Sequence, residues 1–143
     1  MMSLMLAAQI SMEFIGPCSA RPLLQATLSN SSAQNVGLAT IDTLDRFEAD
    51  YQGTEAGLNS AFGTPTGMEA MEIISDTEIR SYGWCFEVDG QVPEMFAHHI
   101  PLATVKHQVR WFYGYAHYMN GQWVSQCEVA HRLKPDFLCR GLK

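Results

Sequence analysis

The sequence predicts a single α+β domain: a curled mixed β-sheet that packs its apolar face on one main helix, residues about 41–52. Two observations and one constraint predict it. Only "TIDTLDRFEADYQG" combines a helical apolar stripe with start and stop signals. Several other segments alternate apolar and polar residues with the two-residue period of a half-buried strand. One helix cannot cover both faces of a sheet built from those strands, so the sheet has to curl around it.

The elements follow in order. Residues 1–8, "MMSLMLAA", are either the remnant of a signal peptide or a leader into the first strand. "SLMLAA" has the small residues of a cleavage region, but no basic region precedes it. From Gln9 to Ile15, Ile10, Met12 and Phe14 fall on one face, with Ser11 and Glu13 on the other, as in a strand. Gly16, Pro17 and Pro22 break the pattern, and "LLQATL" makes a second strand and a hairpin. "SNSSAQNVG" reads as a polar loop.

In the helix, Thr40 is the expected N-cap, Asp42 lies in the first turn, and Gly53 takes the position after the last turn. Ile41, Leu44, Phe47 and Tyr51 form its apolar stripe. "GLNSAFGTP" is a short strand or extended turn, and "MEAMEIISD" is open between strand and helix, with Gly63, Pro65 and Gly67 beside it favouring a strand. In "SYGWCFEVDG", Tyr82, Trp84, Phe86 and Val88 share a face and Asp89-Gly90 makes a turn. "QVPEMFAHHIPL" is a loop. "ATVKHQVRWFYGY" alternates again: Val105, His107, Val109, Trp111, Tyr113 and Tyr115 point one way, Lys106, Gln108, Arg110 and Phe112 the other. Asn120-Gly121 turns the chain into a last strand, "QWVSQCEV". The domain therefore spans 9–127, and 128–143 form a C-terminal tail that a disulfide could tether.

Composition narrows the function. A chain of 143 residues fits one domain. Charged residues make up 17%, against about 25% in a typical domain. The net charge is −6 and the nine Lys and Arg are scattered, so nucleic acid is excluded as a partner. No apolar run reaches the ~20 residues of a membrane-spanning helix. The four cysteines, Cys18, Cys85, Cys127 and Cys139, include no C-x-x-C pair, which argues against zinc of the common spacing. An even number in a small, lightly charged domain points to two disulfides and an extracellular or periplasmic location. Three pairings are open, and four buried free thiols are the alternative. No motif calls for a cofactor, and a monomer is expected.

The order strand, strand, helix, strands is the β-grasp arrangement, one of several α+β layouts. The spaced residues also resemble a bacterial domain family of unknown function related to the C-terminal domain of transcobalamin and intrinsic factor. Thr40, Ile41, Thr43 and Leu44 answer to its helix, and Trp84, Phe86, Val88 and Gly90 to its "W-x-F-x-V-N-G" strand. Leu102 answers to a short third element, and Val109, Trp111 and Tyr113 to its "V-x-W-x-Y". The resemblance covers roughly 9–123 and implies a β-grasp-like fold in a secreted or surface protein, often one that binds a small ligand or adheres. Asp89 departs from the family's asparagine, and "KHQ" stands where the family often has Gly-Asp. The cysteines and the tail after Trp123 have no counterpart, and no vitamin-binding residue carries over.

Four site readings arise. "RSYGWCFE" is similar to the stretch around the nucleophile of arylamine N-acetyltransferases. It makes Cys85 a candidate thiol nucleophile, with His98, His99, His107 or His117 as base. That fold needs about twice this length, and a disulfide at Cys85 is the competing reading. His98-His99 suggests a metal, but adjacent side chains on an extended segment point to opposite faces, so no metal is assigned. Glu87 and Asp89 could act as paired carboxylates only if they faced across a cleft. Aromatic rings crowd residues 111–123. Of these, Phe112, Tyr118 and Trp123, together with His99, are the candidates to contact a small ligand or surface partner. The expected function is an exported, non-catalytic binding or interaction module using these rings and the 91–104 loop. The alternative is a small thiol-dependent hydrolase or transferase.

Overall fold

A computed structural model describes residues 9–28 and 31–140; the leader at 1–8 lies outside the described residues. Strands β1 (Ser11–Ile15) and β2 (Leu24–Thr27) form the expected antiparallel hairpin. Helix α1 (Val36–Arg46) follows, then a small hairpin of β3 (Tyr51–Thr54) and β4 (Gly57–Ala61). Next come β5 (Met71–Ser75), β6 (Glu78–Val88), β7 (Gln108–Met119), β8 (Gln122–Val129) and the single turn of α2 (Asp136–Cys139). The fold is mixed α+β, mostly strands, with one main helix.

The large sheet runs β2-β1-β7-β6-β5, with β1 parallel to β7 and the remaining pairs antiparallel. β7 is its central strand. Residues Gln108–Phe112 pair with β1 on one side, and the same side pairs with β8 from Gly114 onward. The Asn120-Gly121 turn joins β7 to β8, both residues having the positive φ (52° and 83°) of a type I′ turn. The sheet curls at this end. In a flat sheet, β6 and β8 would lie roughly 9.5 Å apart across β7. The Cα atoms of Cys85 on β6 and Cys127 on β8 are only 6.2 Å apart, and a disulfide joins them. Gly114 sits beneath the bridge. A Cβ there would stand 2.8 Å from the Glu128 carbonyl oxygen and 3.4 Å from Cys85 Sγ, so glycine admits the fold-over.

The helix differs from its sequence reading. It starts at Val36, and the N-cap is Asn35, whose side chain accepts from Leu38 N–H at 2.8 Å. Thr40 lies in the second turn and does not cap; its first turn holds no acidic residue, so Asp42 is not there. Thr40 and Thr43 are buried and their hydroxyls donate to the carbonyls of Val36 and Ala39 at 2.8 Å. The helix stops at Phe47, and Glu48 takes a left-handed φ of 55°. Tyr51 and Gly53 therefore belong to β3, and Phe47 is half exposed. Gly37 explains the early start. A Cβ at this position would fall 1.8 Å from the Glu55 carbonyl oxygen, so the first turn can press against the β3–β4 turn only without a side chain.

The core lies between α1, the β3–β4 hairpin and one face of the sheet. It contains Met12, Phe14, Val36, Leu44, Val109, Trp111 and Tyr113, all essentially closed to solvent. Burying one such large side chain stabilises by about 1.5–3 kcal/mol. The second bridge, Cys18–Cys139, ties the tail back to the segment after β1. All four cysteines are thus paired, consistent with an extracellular or periplasmic location. Among the described residues, no helix is long and apolar enough to cross a membrane.

Candidate functional site

A cleft of about 410 Å³ opens beside β6. Its position follows from how far β5 reaches. β5 pairs with β6 only up to Ser81. Among the described residues, the outer edge of β6 from Tyr82 onward has no ladder partner except the local Val88–Gln91 bridge. The β3–β4 hairpin and the connection between β6 and β7 stand on either side of this open edge and form the cleft's walls.

The floor is aromatic. Trp84 and Phe86 come from β6 and Trp111 from β7. Phe86 and Trp111 lie with ring centroids 4.8 Å apart, and Trp84 meets Tyr113 edge-on at 5.6 Å. Both indole N–H groups are already committed away from the cleft. Trp84 Nε1 donates to Thr64 Oγ1 at 2.8 Å, and Trp111 Nε1 to Thr40 Oγ1 at 2.9 Å. Tyr113 lies under this layer, and burial pushes its phenol up to about 12.

The connection from 89 to 107 is long, yet it is pinned at both ends. Asp89 sits at φ 50° and its carboxylate accepts the backbone N–H groups of Lys106, His107 and Gln108 at 2.9, 2.7 and 3.0 Å. Further in, Val36 N–H donates to the Ile100 carbonyl at 2.9 Å and Leu102 N–H to the Gln34 carbonyl at 3.0 Å. Ala97, Ile100, Leu102 and Val105 are buried against the core. Val92, Met95 and Phe96 are not: they are 48%, 52% and 63% exposed and border the cleft, facing Leu58 and Asn59 of the hairpin. Three large apolar side chains are thus left open on an otherwise anchored segment, beside an aromatic floor.

The residues singled out from sequence fall as follows. Cys85 is bonded to Cys127, so it has no thiol to ionise, and both cysteines border the cleft. His98 and His99 sit in a 3₁₀ turn rather than an extended segment, and their rings lie 3.9 Å apart beside Phe96. They do not diverge as an extended segment would make them. Nevertheless no group of three or more His, Cys, Asp or Glu converges among the described residues. His107 is exposed, and His117 pairs with Glu78 at 3.0 Å on the far half of the sheet. Glu87 is engaged by Arg110 at 3.1 Å and Asp89 by its three backbone donors, so the two form no facing pair.

Of the ligand candidates, Phe112 is 3% exposed, which removes it as a surface ring. It points away from the helix as the period requires, but the disulfide and β8 cover that face. Tyr118 is half-buried and Trp123 exposed. They form an edge-on pair at 5.2 Å near the β7–β8 turn, away from the cleft. His99 is exposed and lies outside the cleft lining. Sequence reasoning pointed to the 91–104 loop but did not single out Val92, Met95 and Phe96, the apolar side chains it leaves exposed beside the cleft. The available signal was a run, "QVPEMF", with apolar residues and no strand partner to bury them. A second recess of about 790 Å³ lies against the Cys18–Cys139 bridge, with Lys134 and Asp136 in its lining. No protein-family model, no curated protein and no solved structure matches this chain.

Proposed function

We propose that this chain is a non-catalytic binding module of an exported protein, built on a β-grasp-like sheet and taking a small ligand in the cleft beside β6. The observation that carries the reading is the cleft itself: an aromatic floor of Trp84, Phe86 and Trp111, flanked by exposed Val92, Met95 and Phe96 on a segment whose backbone is pinned. Preformed, mostly apolar concavities of this size are what small-molecule sites require. The β-grasp reading is supported by the run β2-β1-β7-β6, with the parallel pair β1 and β7 central and the helix entered after the first hairpin. The kinship to the transcobalamin-related family rests on the residue pattern alone. Export is supported by the two disulfides.

Amide chemical shifts recorded against a library of small molecules test the module reading. The expected result is at least one compound whose shifts concentrate on Leu58, Val92, Met95 and Phe96. A library that moves no cleft resonance, or moves only those of Tyr118 and Trp123, would overturn it.

A further inference from the structure

The chemistry of the cleft narrows what it can hold. Among the described residues that line it, none carries an ionisable side chain. The disulfide has replaced the two thiols that could have ionised. The two indole N–H groups, which are the floor's only side-chain donors, are spent on Thr64 and Thr40. The polar side chains left are Thr54 and Asn59, both exposed on the hairpin at the rim. An ion entering this site would shed hydration and meet no counter-charge and no floor donor in return. An apolar ring would instead lie against half-buried Phe86, the most accessible ring of the floor, and cover exposed Met95 and Phe96.

The open edge of β6 adds main-chain polar groups to the cleft. Among the described residues, its outward main-chain groups past Ser81 have no ladder partner other than the Val88–Gln91 bridge. Such groups are strong donors and acceptors in fixed positions, and they favour a neutral hydrogen-bonding partner. Resting on the module reading above, we propose that the ligand is an uncharged, planar, mostly apolar small molecule, its ring system against Phe86, Met95 and Phe96 and a neutral amide, carbonyl or hydroxyl group against the main-chain edge of β6.

Two dyes that share one ring system test this. N-phenyl-1-naphthylamine is neutral at pH 7, and 8-anilinonaphthalene-1-sulfonate carries a fixed negative charge on the same rings. Native, disulfide-intact protein is titrated with each by fluorescence, and the amide shifts are mapped. The neutral dye is expected to bind at least tenfold more tightly and to shift Leu58, Val92 and Phe96. M95K places a charge on the cleft wall at an exposed position, and is expected to weaken the neutral dye at least tenfold while leaving the thermal midpoint unchanged. W123A, on the exposed Tyr118–Trp123 pair, is expected to leave binding as it was. Equal or tighter binding of the sulfonate, or M95K binding the neutral dye as well as the parent, overturns the proposal. So does sedimentation showing that a second copy covers Val92, Met95 and Phe96. The two readings fail differently. Library hits in the cleft that are ions or sugars leave the module standing and sink the ligand class. A cleft that answers neither dye nor library sinks both.

Discussion

The two faces of β7 are held by different physics. Towards the helix, Val109, Trp111 and Tyr113 are buried to 0%, 2% and 0% exposure, and their polar links are few: the indole N–H of Trp111 donates to Thr40 and the hydroxyl of Tyr113 to the Pro65 carbonyl at 3.4 Å. Away from the helix, the same strand presents Arg110, Phe112 and Gly114. Arg110 makes ion pairs with Glu13 of β1 and Glu87 of β6, and Phe112 lies beneath the Cys85–Cys127 bridge. The first face is secured by apolar area, which neighbouring residues supply in bulk. The second is secured by single links between residues far apart in sequence. A face of the first kind tolerates changes in detail but not in volume; a face of the second kind depends on particular partners.

Emptying the helix face should therefore cost most. Trp111→Ala removes a fully buried indole, opens a cavity beside Val36 and Leu44, and leaves the Thr40 hydroxyl without its donor. A loss of about 3–5 kcal/mol is expected in urea unfolding. A loss under about 1 kcal/mol would mean that the helix face is not the main store of stability. On the other face, the double change Cys85→Ser with Cys127→Ser opens a bridge between residues 42 apart in sequence. The expected loss is about 2–4 kcal/mol, most of it through a less constrained unfolded chain. The same variant should loosen β8 over Gly114, so hydrogen exchange should quicken in Gln122–Val129 before it quickens in α1. Uniform quickening would deny that the two faces are separately held.

Arg110→Met sharpens the comparison further. Its side chain is 40% exposed while that of Glu13 is 10%, so the variant strands a nearly buried carboxylate but forfeits an ion pair already weakened by solvent. A loss of about 1–2 kcal/mol is expected at low salt. The gap to the parent should narrow at 1 M NaCl, because screening acts on the charge and not on the packing. A gap that ignores salt would make Arg110 a packing residue and both faces of β7 dependent on packing.

The contrast between faces also accounts for what the sequence could reveal. The helix face was legible because a two-residue period is local: Val109, Trp111 and Tyr113 could be assigned inward from their own spacing. The outward direction of Phe112 was legible by the same rule. Its burial was not, because that depends on β8 folding over Gly114 and on Cys85 meeting Cys127, neither of which leaves a local mark. The start of α1 was misplaced for a similar reason. Asn35 and Thr40 are both acceptable caps, and Gly37 reads as a loop residue until the approach of the Glu55 carbonyl is known. Tyr51 continued the helical stripe by coincidence of spacing, while the left-handed Glu48 had already ended the helix. The cleft was half legible: the loop could be named, but the exposure of Val92, Met95 and Phe96 is settled by where Ala97, Ile100 and Leu102 are anchored.

The smallest expected effect concerns the residue that decides which side chains face which way. A slip of one residue between β6 and β7 would exchange the two faces. At the point where the register begins, Asp89 N–H donates to the Gln108 carbonyl at 2.9 Å and the Asp89 carboxylate gathers three backbone N–H groups in return. Partial burial alone would raise its pKa. The donors from Lys106, Gln108 and His107 outweigh this, and the net position lies below the ordinary 3.8. A carboxylate lowered in the folded state contributes its stability in full above the unfolded value and loses it as pH falls through the folded one. Asp89→Asn tests the charge cleanly, since asparagine tolerates the same left-handed φ and keeps one acceptor oxygen. The variant should be less stable by about 1 kcal/mol at neutral pH. Its unfolding midpoint should approach that of the parent as pH is lowered from about 6 to about 2. Midpoints that stay a constant distance apart over that range would show that Asp89 holds the register through its turn conformation and not through its charge.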